Sequence, residues 1–441
     1  MKTTNLTALA NEAKTYYVAG ASAGQRYNAV LGHPLYLDHA SGSKIYDIDG
    51  NEYLDYHVGA GAGFFGWNHP RLKQAVMESV EKGFFMNFDT PYHLELAKLV
   101  RRFFPCAERI RLCNTGMEAT LGAIRLARSV TGRDLLLRFE GHFHGMYEEV
   151  WYNHNTVAAA DKFGEVETTP DSEGFLPASK LAVKNVVFND VEALEHIVAK
   201  YRGRFAAMIM EPLSFDCGCM IPREGYLQKV RDICDREGIV LIFDEVLCGL
   251  RAAPGSMQLR YGVTPDLTAA AKAIGGGFPI ALLAGKAPLM EHLNPLGKTV
   301  MSGTYSGSLM PVVASVECLK MASEPGFYDK IDTVGDALYS GLNDLFAKHG
   351  IPGHARGVGA RFALYFGVED PEDDYDFRKV AAKHDYALYK KFVTECLPLG
   401  LYFHDTAGRY SPAHYGFSAQ HSLEDIAVTL DKIDTIFAKI K

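Results

Sequence analysis

The rhythm of hydrophobic and polar positions changes twice along the chain. The first stretch alternates. Lys44-Ile45-Tyr46-Asp47-Ile48-Asp49-Gly50 reads as a strand running into a turn, and Glu52-Tyr53-Leu54-Asp55-Tyr56 as its return. From about residue 70 short apolar strands alternate with amphipathic helices. Ala119 to Val130 places Leu121, Ile124 and Ala127 on one face, with Arg125 and Arg128 between them. Asp134 to Phe139, Phe205 to Met210 and Ile239 to Phe243 read as strands, and Val191 to Arg202 and Gly225 to Glu237 as helices. Strand–helix–strand alternation predicts a mostly parallel sheet. From about Met310 the pattern changes again, to a helix, a strand at Ala360 to Phe366 and a closing amphipathic helix from Ser422. This predicts a smaller α+β unit. The acidic run Glu369 to Asp376 has no periodicity and is expected to be a solvated loop.

Composition narrows the classes. A chain of 441 residues exceeds one typical core, so two or three packed units are expected. Apolar residues make up 48% and charged residues 22%, which suits a globular protein with a large interior. A net charge of −8 disfavours nucleic acid and anionic membranes as partners. The opening residues have no signal-peptide core, and no apolar run is long enough to span a bilayer. Eight scattered cysteines include no CxxC pair, and Cys217 and Cys219 form a lone CxC. Buried free thiols and a reducing cytoplasm are the expectation.

Four segments carry candidate chemistry. The strand Ile239 to Phe243 ends abruptly in Asp244 and Glu245. Ligands of parallel sheets gather at the carboxyl ends of strands, so an acid there can meet a cationic ligand atom. It can equally cap the next turn. Leu267-Thr268-Ala269-Ala270-Ala271-Lys272 sets one lysine in small apolar surroundings, followed by Gly275-Gly276-Gly277. A desolvated lysine loses its proton more easily and attacks aldehydes. A lysine snorkelling from a strand end gives the same pattern. Asn114-Thr115-Gly116-Met117-Glu118-Ala119 precedes the first amphipathic helix, where unpaired N–H groups suit a phosphate. No P-loop and no GxGxxG after a strand is present. Gly141-His142-Phe143-His144-Gly145 follows a strand and could stack an aromatic on a flat ring. Its two histidines lack partners at metal-ligand spacing, so no metal is expected.

Together these segments resemble the class III, fold-type I aminotransferases that depend on pyridoxal 5′-phosphate (PLP). Within them the chain is most similar to the branch of glutamate-1-semialdehyde aminomutase, D-phenylglycine aminotransferase and β-amino-acid aminotransferases. The likeness runs from Tyr46-Asp47-Ile48-Asp49-Gly50 through Gly66-Trp67-Asn68-His69-Pro70 and the Asp244 and Lys272 segments to Phe417-Ser418-Ala419-Gln420-His421. It implies a large α/β domain at 66–310, with a mostly parallel seven-stranded sheet flanked by helices. A small α+β domain would come from 1–65 and 311–441.

The resemblance also implies roles. Lys272 would carry PLP as a Schiff base and move the substrate proton. Asp244 would pair with the pyridine nitrogen, and Glu211 in Met210-Glu211-Pro212 would lie beside the ring. Phe143 and Val246 would cover its two faces, with His144 among the cofactor-binding residues. Thr115, Gly116 and Met117 would hold the phosphate. Thr304 would reach the phosphate of a neighbouring subunit, which makes a homodimer with shared active sites the expected partner state. Arg26 falls where relatives place an arginine for a substrate carboxylate.

The chain also departs from the pattern. The family's NSGTEA turn is here Asn114-Thr115-Gly116-Met117-Glu118-Ala119, so Met117 keeps only its backbone N–H. Its GTxxGNP is here Gly303-Thr304-Tyr305-Ser306-Gly307-Ser308-Leu309. The aminomutase has a loop of small residues after the glycine at 145, whereas Met146 to Glu173 is rich in acids, which counts against the aminomutase itself. The expected activity is ping-pong transamination between an amino acid or amine and a carbonyl acceptor. An intramolecular aminomutase, epimerase or decarboxylase, and a PLP-holding protein without turnover, are the alternatives. Phe64, Phe65, Trp67, Tyr147 and Trp151 are candidates for an aromatic or acyl pocket, or are core. No second carboxylate-binding arginine is recognisable in the C-terminal part, so substrates with one carboxylate or its ester are expected.

Overall fold

The computed structural model describes residues 1–83, 86–404 and 410–441. Its centre is an eight-stranded sheet. In spatial order the strands are Arg109–Cys113, Ala281–Gly285, Leu267–Ala270, Val240–Asp244, Phe205–Met210, Leu135–Phe139, Val183–Val186 and Glu165–Val166. Ala281–Gly285 and the two-residue edge strand Glu165–Val166 run antiparallel to their neighbours. The four strands from Leu267–Ala270 to Leu135–Phe139 pair in parallel, and Val183–Val186 extends them. The expectation of seven strands therefore misses one. Glu165–Val166 is too short to show an alternation, and its pairing with Val186 and Asn185 is what makes it a strand.

These strands are apolar on both faces because both faces are covered. Every residue of Leu135–Phe139, Phe205–Met210 and Val240–Asp244 is buried. One covering element is the helix Gly116–Thr131, which buries Ala119, Ala123, Ile124, Leu126 and Ala127 against Ala207, Ile209, Ile242 and Leu283. Thr115 caps its start and Gly132, at φ +66°, ends it. Its small residues let the backbone lie close to the sheet. Truncating Ile124 would cost about 2–5 kcal/mol, as other buried large-to-small changes do.

The parallel register has one consequence for chemistry. The carboxyl ends of Leu135–Phe139, Phe205–Met210, Val240–Asp244 and Leu267–Ala270 lie on one edge of the sheet. The residues that follow or end them are Phe143 and His144, Glu211, Asp244 and Lys272.

Besides the short pair Tyr27–Asn28 and His33–Pro34, two smaller sheets complete the described residues. Leu401–Tyr402, Glu52–Asp55, Lys44–Asp47 and Leu37–Ser41 form one, so segments from the two ends of the sequence share hydrogen bonds. Gly353–Val358, Arg361–Phe366 and His414–Gly416 form the other. The long helices Phe327–His349 and Leu423–Ile440 bury Leu338, Leu342, Ile433 and Phe437 in a common core. The acidic run at 369–376 is only partly a solvated loop. Asp373 and Asp374 are buried in a short 3₁₀ turn, since His354 meets Asp374 at 2.7 Å and Lys379 meets Asp373 at 3.4 Å. All eight cysteines are buried. Among the described residues no helix is long and apolar enough to cross a membrane.

Candidate active site

Lys272 follows the strand Leu267–Ala270 at a sharp turn. Its φ is +50°, a left-handed value that is costly for a side chain and is typical of functional positions. The amine faces a cavity of about 320 Å³ that is also lined by Thr115, Met117, Phe143, Asp244 and Val246. Burial pushes it down to about 8, against the opposing pull of Asp216 and Asp244. No hydrogen bond or ion pair ties the amine to another described residue.

Asp244 ends its strand inside the same cavity. Its Oδ1 accepts the Val246 N–H at 3.0 Å, and its Oδ2 lies 2.8 Å from His144 Nδ1. Burial lowers the tendency of His144 to take a second proton. A carboxylate can only accept, so the neutral ring carries its proton on Nδ1 and leaves Nε2 without a described partner. Glu245 turns the other way. It accepts from Met257 N–H at 2.7 Å and Gln258 Nε2 at 2.9 Å, so of the two strand-end acids one serves the cavity and the other caps a helix. Glu211 lines the cavity too. It accepts the Phe143 N–H at 3.0 Å, and burial beside Asp216 and Asp244 pushes it well above the carboxylate range.

The helix start at Gly116 offers two donors. Glu118 Oε2 accepts from Asn114 N–H at 2.6 Å and Thr115 N–H at 3.0 Å, while Thr115 Oγ1 accepts from Glu118 N–H. This capping box consumes the N–H groups on either side. Those of Gly116 and Met117 are left unbonded, and both residues line the cavity. Gly116 is required by space: a Cβ there would stand 2.7 and 2.8 Å from the Val246 methyls.

Two expected residues lie elsewhere. Arg26 is exposed, hydrogen-bonded to Ser22 Oγ at 2.7 Å, and lines an adjoining cavity; its neighbour Gln25 reaches the Lys272 cavity. Thr304 is exposed and does not line this chain's own cavity. Of the five candidate aromatics, Trp67 lines the adjoining cavity, while Phe64 and Phe65 are core residues packed on Phe327.

The sequence reading missed a charged chain across the cavity floor. Arg361 Nη2 donates to His414 Nδ1, which leaves the proton of this ring on Nε2, 3.1 Å from Asp216 Oδ1. His154 Nε2 meets Asp216 Oδ2 from the other side. Asp216 stands five positions after Glu211, the one signal that could have flagged it. The other three come from distant segments.

A buried amine of lowered basicity, an acid held by a histidine, and N–H groups at a helix start that are unbonded among the described residues would suit an anionic, aldehyde-bearing aromatic cofactor. Comparison with known proteins gives the class. The family model "Aminotransferase class-III" matches residues 27–421. The glutamate-1-semialdehyde 2,1-aminomutase of Chlorobium luteolum is 36% identical over 397 residues, 89% of this chain and 90% of that protein. That of Citrifermentans bemidjiense is 36% identical over 404 residues, 92% and 91% of the two chains. The crystal structure of an omega-transaminase from Sphaerobacter thermophilus superposes with a TM-score of 0.91 at 27% identity, covering 98% of this chain and 97% of that one. The chain belongs to the class-III aminotransferase family. It has the fold-type I architecture of PLP-dependent enzymes, and its cofactor is pyridoxal 5′-phosphate.

The residues present fit that group: Lys272 offers a buried amine that would suit its aldehyde, Asp244 faces the cavity as an acceptor, and the Gly116 and Met117 N–H groups, unbonded among the described residues, would suit its phosphate.

Proposed function

We propose that the chain is an aminotransferase that moves an amino group between an amino acid or amine and a carbonyl acceptor in two half-reactions. PLP supplies the aldehyde that accepts the amine and the ring that takes up electrons from the substrate carbon. Lys272 would hold the cofactor through its amine and, as a neutral amine, would move the proton at the substrate carbon. Asp244, oriented by His144, would serve as acceptor for a protonated ring nitrogen. Phe143 and Val246 would hold the ring, and Glu211 would supply an acid beside it. Thr115, Gly116 and Met117 hold the phosphate, and Thr304 serves the partner subunit of a homodimer. Arg26 accepts a substrate carboxylate from the adjoining cavity. The division at 1–65, 66–310 and 311–441 remains the proposed domain scheme. The buried cysteines support a cytoplasmic setting.

The observation that favours transfer between molecules is the state of the segment after Gly145. An intramolecular aminomutase must retain its substrate between half-reactions behind a moving lid. Here Asn153 bonds the Glu167 carbonyl and the Thr169 N–H, Asp171 accepts from His154 and Asn155 N–H, and the His154 ring meets Asp216. These bonds hold the segment in one position, which supports exchange of products over their retention behind a moving lid. The names of the two curated relatives support the second reading, an aminomutase. Nitrogen-15 label separates the two. An aminotransferase given a labelled donor and an unlabelled carbonyl acceptor moves the label into the acceptor. Turnover of glutamate-1-semialdehyde with label confined to its own product, and none transferred, would sink the aminotransferase reading.

A further inference from the structure

The turn from Gly141 to Gly145 brings Phe143 and His144 to the Lys272 cavity, and Glu140 stands directly before it. The Glu140 side chain is 1% exposed. Burial pushes it up to about 7, although Arg378 holds it down. This partner comes from 238 residues away. Arg378 Nε donates to Glu140 Oε2 at 2.7 Å, and Arg378 Nη2 donates to Oε1 at 3.0 Å. The same Nη2 donates to the Ala158 carbonyl at 2.7 Å. One guanidinium therefore holds both the residue before the turn and the segment after it. The helix that delivers it, Phe377–Lys383, also presses on the turn with its first residue. A Cβ at Gly141 would stand 2.7 Å from Cys217 Sγ and 2.9 Å from Phe377 Cδ2. Asp376 caps this helix by accepting the Arg378 N–H at 2.9 Å, and Asn189 Nδ2 donates to the Tyr375 carbonyl at 3.1 Å, so the arginine starts from a fixed base.

A forked pair with a carboxylate fixes direction as well as distance. Because Glu140 is buried, removing the arginine leaves a carboxylate without its cation, unlike the loss of an exposed pair. Other bonds of the turn come from the large sheet and its helix: Glu211 accepts the Phe143 N–H, and the His144 carbonyl accepts from Thr120 Oγ1 at 2.7 Å. The tie to the C-terminal part of the chain runs through Phe377 and Arg378. Beyond the turn, His144 orients Asp244. Resting on the roles proposed for Phe143, His144 and Asp244, we propose that Arg378 is a positioning residue for amino transfer. By clamping Glu140 and the Ala158 carbonyl together, it sets the His144–Asp244 bond and the seat of Phe143. Arg378 itself does not line the cavity, so it acts through the turn. Small displacements of such a turn are costly to rate, because reacting groups must stay within a fraction of an ångström of their productive geometry.

The test uses the PLP-loaded enzyme and its Arg378→Met, Arg378→Lys and Glu140→Gln variants. The first readout is the proton NMR signal of the His144 Nδ1–H, identified by its loss in His144→Phe. Arg378→Met should displace or broaden it. Arg378→Lys keeps the charge but not the fork, and should restore it in part. The second readout is circular dichroism of the bound cofactor, which reports how the ring is seated and should weaken in Arg378→Met. The third is the donor half-reaction with alanine and β-alanine as probes. Its saturating rate should fall about tenfold in Arg378→Met, with the apparent dissociation constant of the donor unchanged to within about twofold. A role in stability alone would lower the unfolding temperature and leave all three readouts of the folded variants at wild-type values. That result overturns the clamp while the aminotransferase reading stands. If Arg378→Met does not fold, Arg378→Lys and Glu140→Gln decide by the same readouts. If neither donor converts the wild-type cofactor yet the His144 signal depends on Arg378, the clamp stands and the failure belongs to the aminotransferase reading.

Discussion

His144 Nδ1 lies 2.8 Å from Asp244 Oδ2, with the two side chains 0% and 4% exposed. A buried carboxylate is held in one orientation by a neutral imidazole, and its open side faces the Lys272 cavity. In the role proposed for Asp244, Asp244→Asn replaces the acceptor for the ring proton with an amide. The donor half-reaction should slow about a hundred- to a thousandfold with PLP still bound, as loss of a preorganised charge does elsewhere. His144→Phe removes only the orienting bond and should cost about tenfold. Stopped-flow rates of the cofactor absorbance change check both, and an undiminished rate in Asp244→Asn refutes the role given to it.

In its proposed role Lys272 must be neutral to attack the cofactor aldehyde. Burial brings its ionisation to about 8, so most of the amine is protonated below that pH and free above it. The rate at which the apoenzyme takes up PLP should therefore rise with pH and level off above about 8. A profile that is flat from pH 6 to 10 contradicts the assignment, as does loading of Lys272→Ala at the wild-type rate.

Asp216 is the largest charge favouring the protonated form of Lys272, ahead of Asp244, while Arg361 and Arg251 oppose it. Asp216→Asn removes a negative charge, so the ammonium form loses support and ionisation falls further. The midpoint of the loading profile should move down by about one pH unit. A midpoint that stays or rises shows that the Arg361–His414–Asp216–His154 chain does not act on the lysine.

Gly116 owes its place to Val246. A Cβ at 2.7 Å from one methyl and 2.8 Å from another forces the helix start or the cavity-lining Val246 to move. Gly116→Ala should raise the dissociation constant for PLP about ten- to a hundredfold, in line with the cost of overpacking. Adding Val246→Ala opens the space and should recover most of the phosphate affinity. Equilibrium dialysis of the single and double variants decides this, and failure of the double variant to recover would place the defect elsewhere.

Much of this was legible in the sequence, for reasons that differ by element. Phe205–Met210 and Val240–Asp244 show as strands because burial on both faces demands unbroken apolar runs. Gly116–Thr131 shows as a helix because its buried and exposed faces alternate at the helical period. Asp244 and Lys272 stand out because each interrupts an apolar run at a strand end. The division of labour between Asp244 and Glu245 was not legible, since it depends on Gln258 and Met257 arriving from a later helix. Nor was the Asp216 clamp: His154 and Asp216 are 62 residues apart, and Arg361 and His414 are 53 apart. No local pattern records such meetings. The burial of Asp373 and Asp374 escaped for the same reason, because His354 and Lys379 make it tolerable.

The central claim is that Lys272 and Asp244 serve intermolecular amino transfer. The most direct test is the visible absorption spectrum of the holoenzyme, titrated with an amine donor and then with a carbonyl acceptor. The account predicts that the donor alone bleaches the band of the lysine-bound cofactor and that the acceptor restores it, in both directions and with one equivalent of each product. A band that never bleaches with any donor, or that bleaches and is not restored by any acceptor, would contradict it.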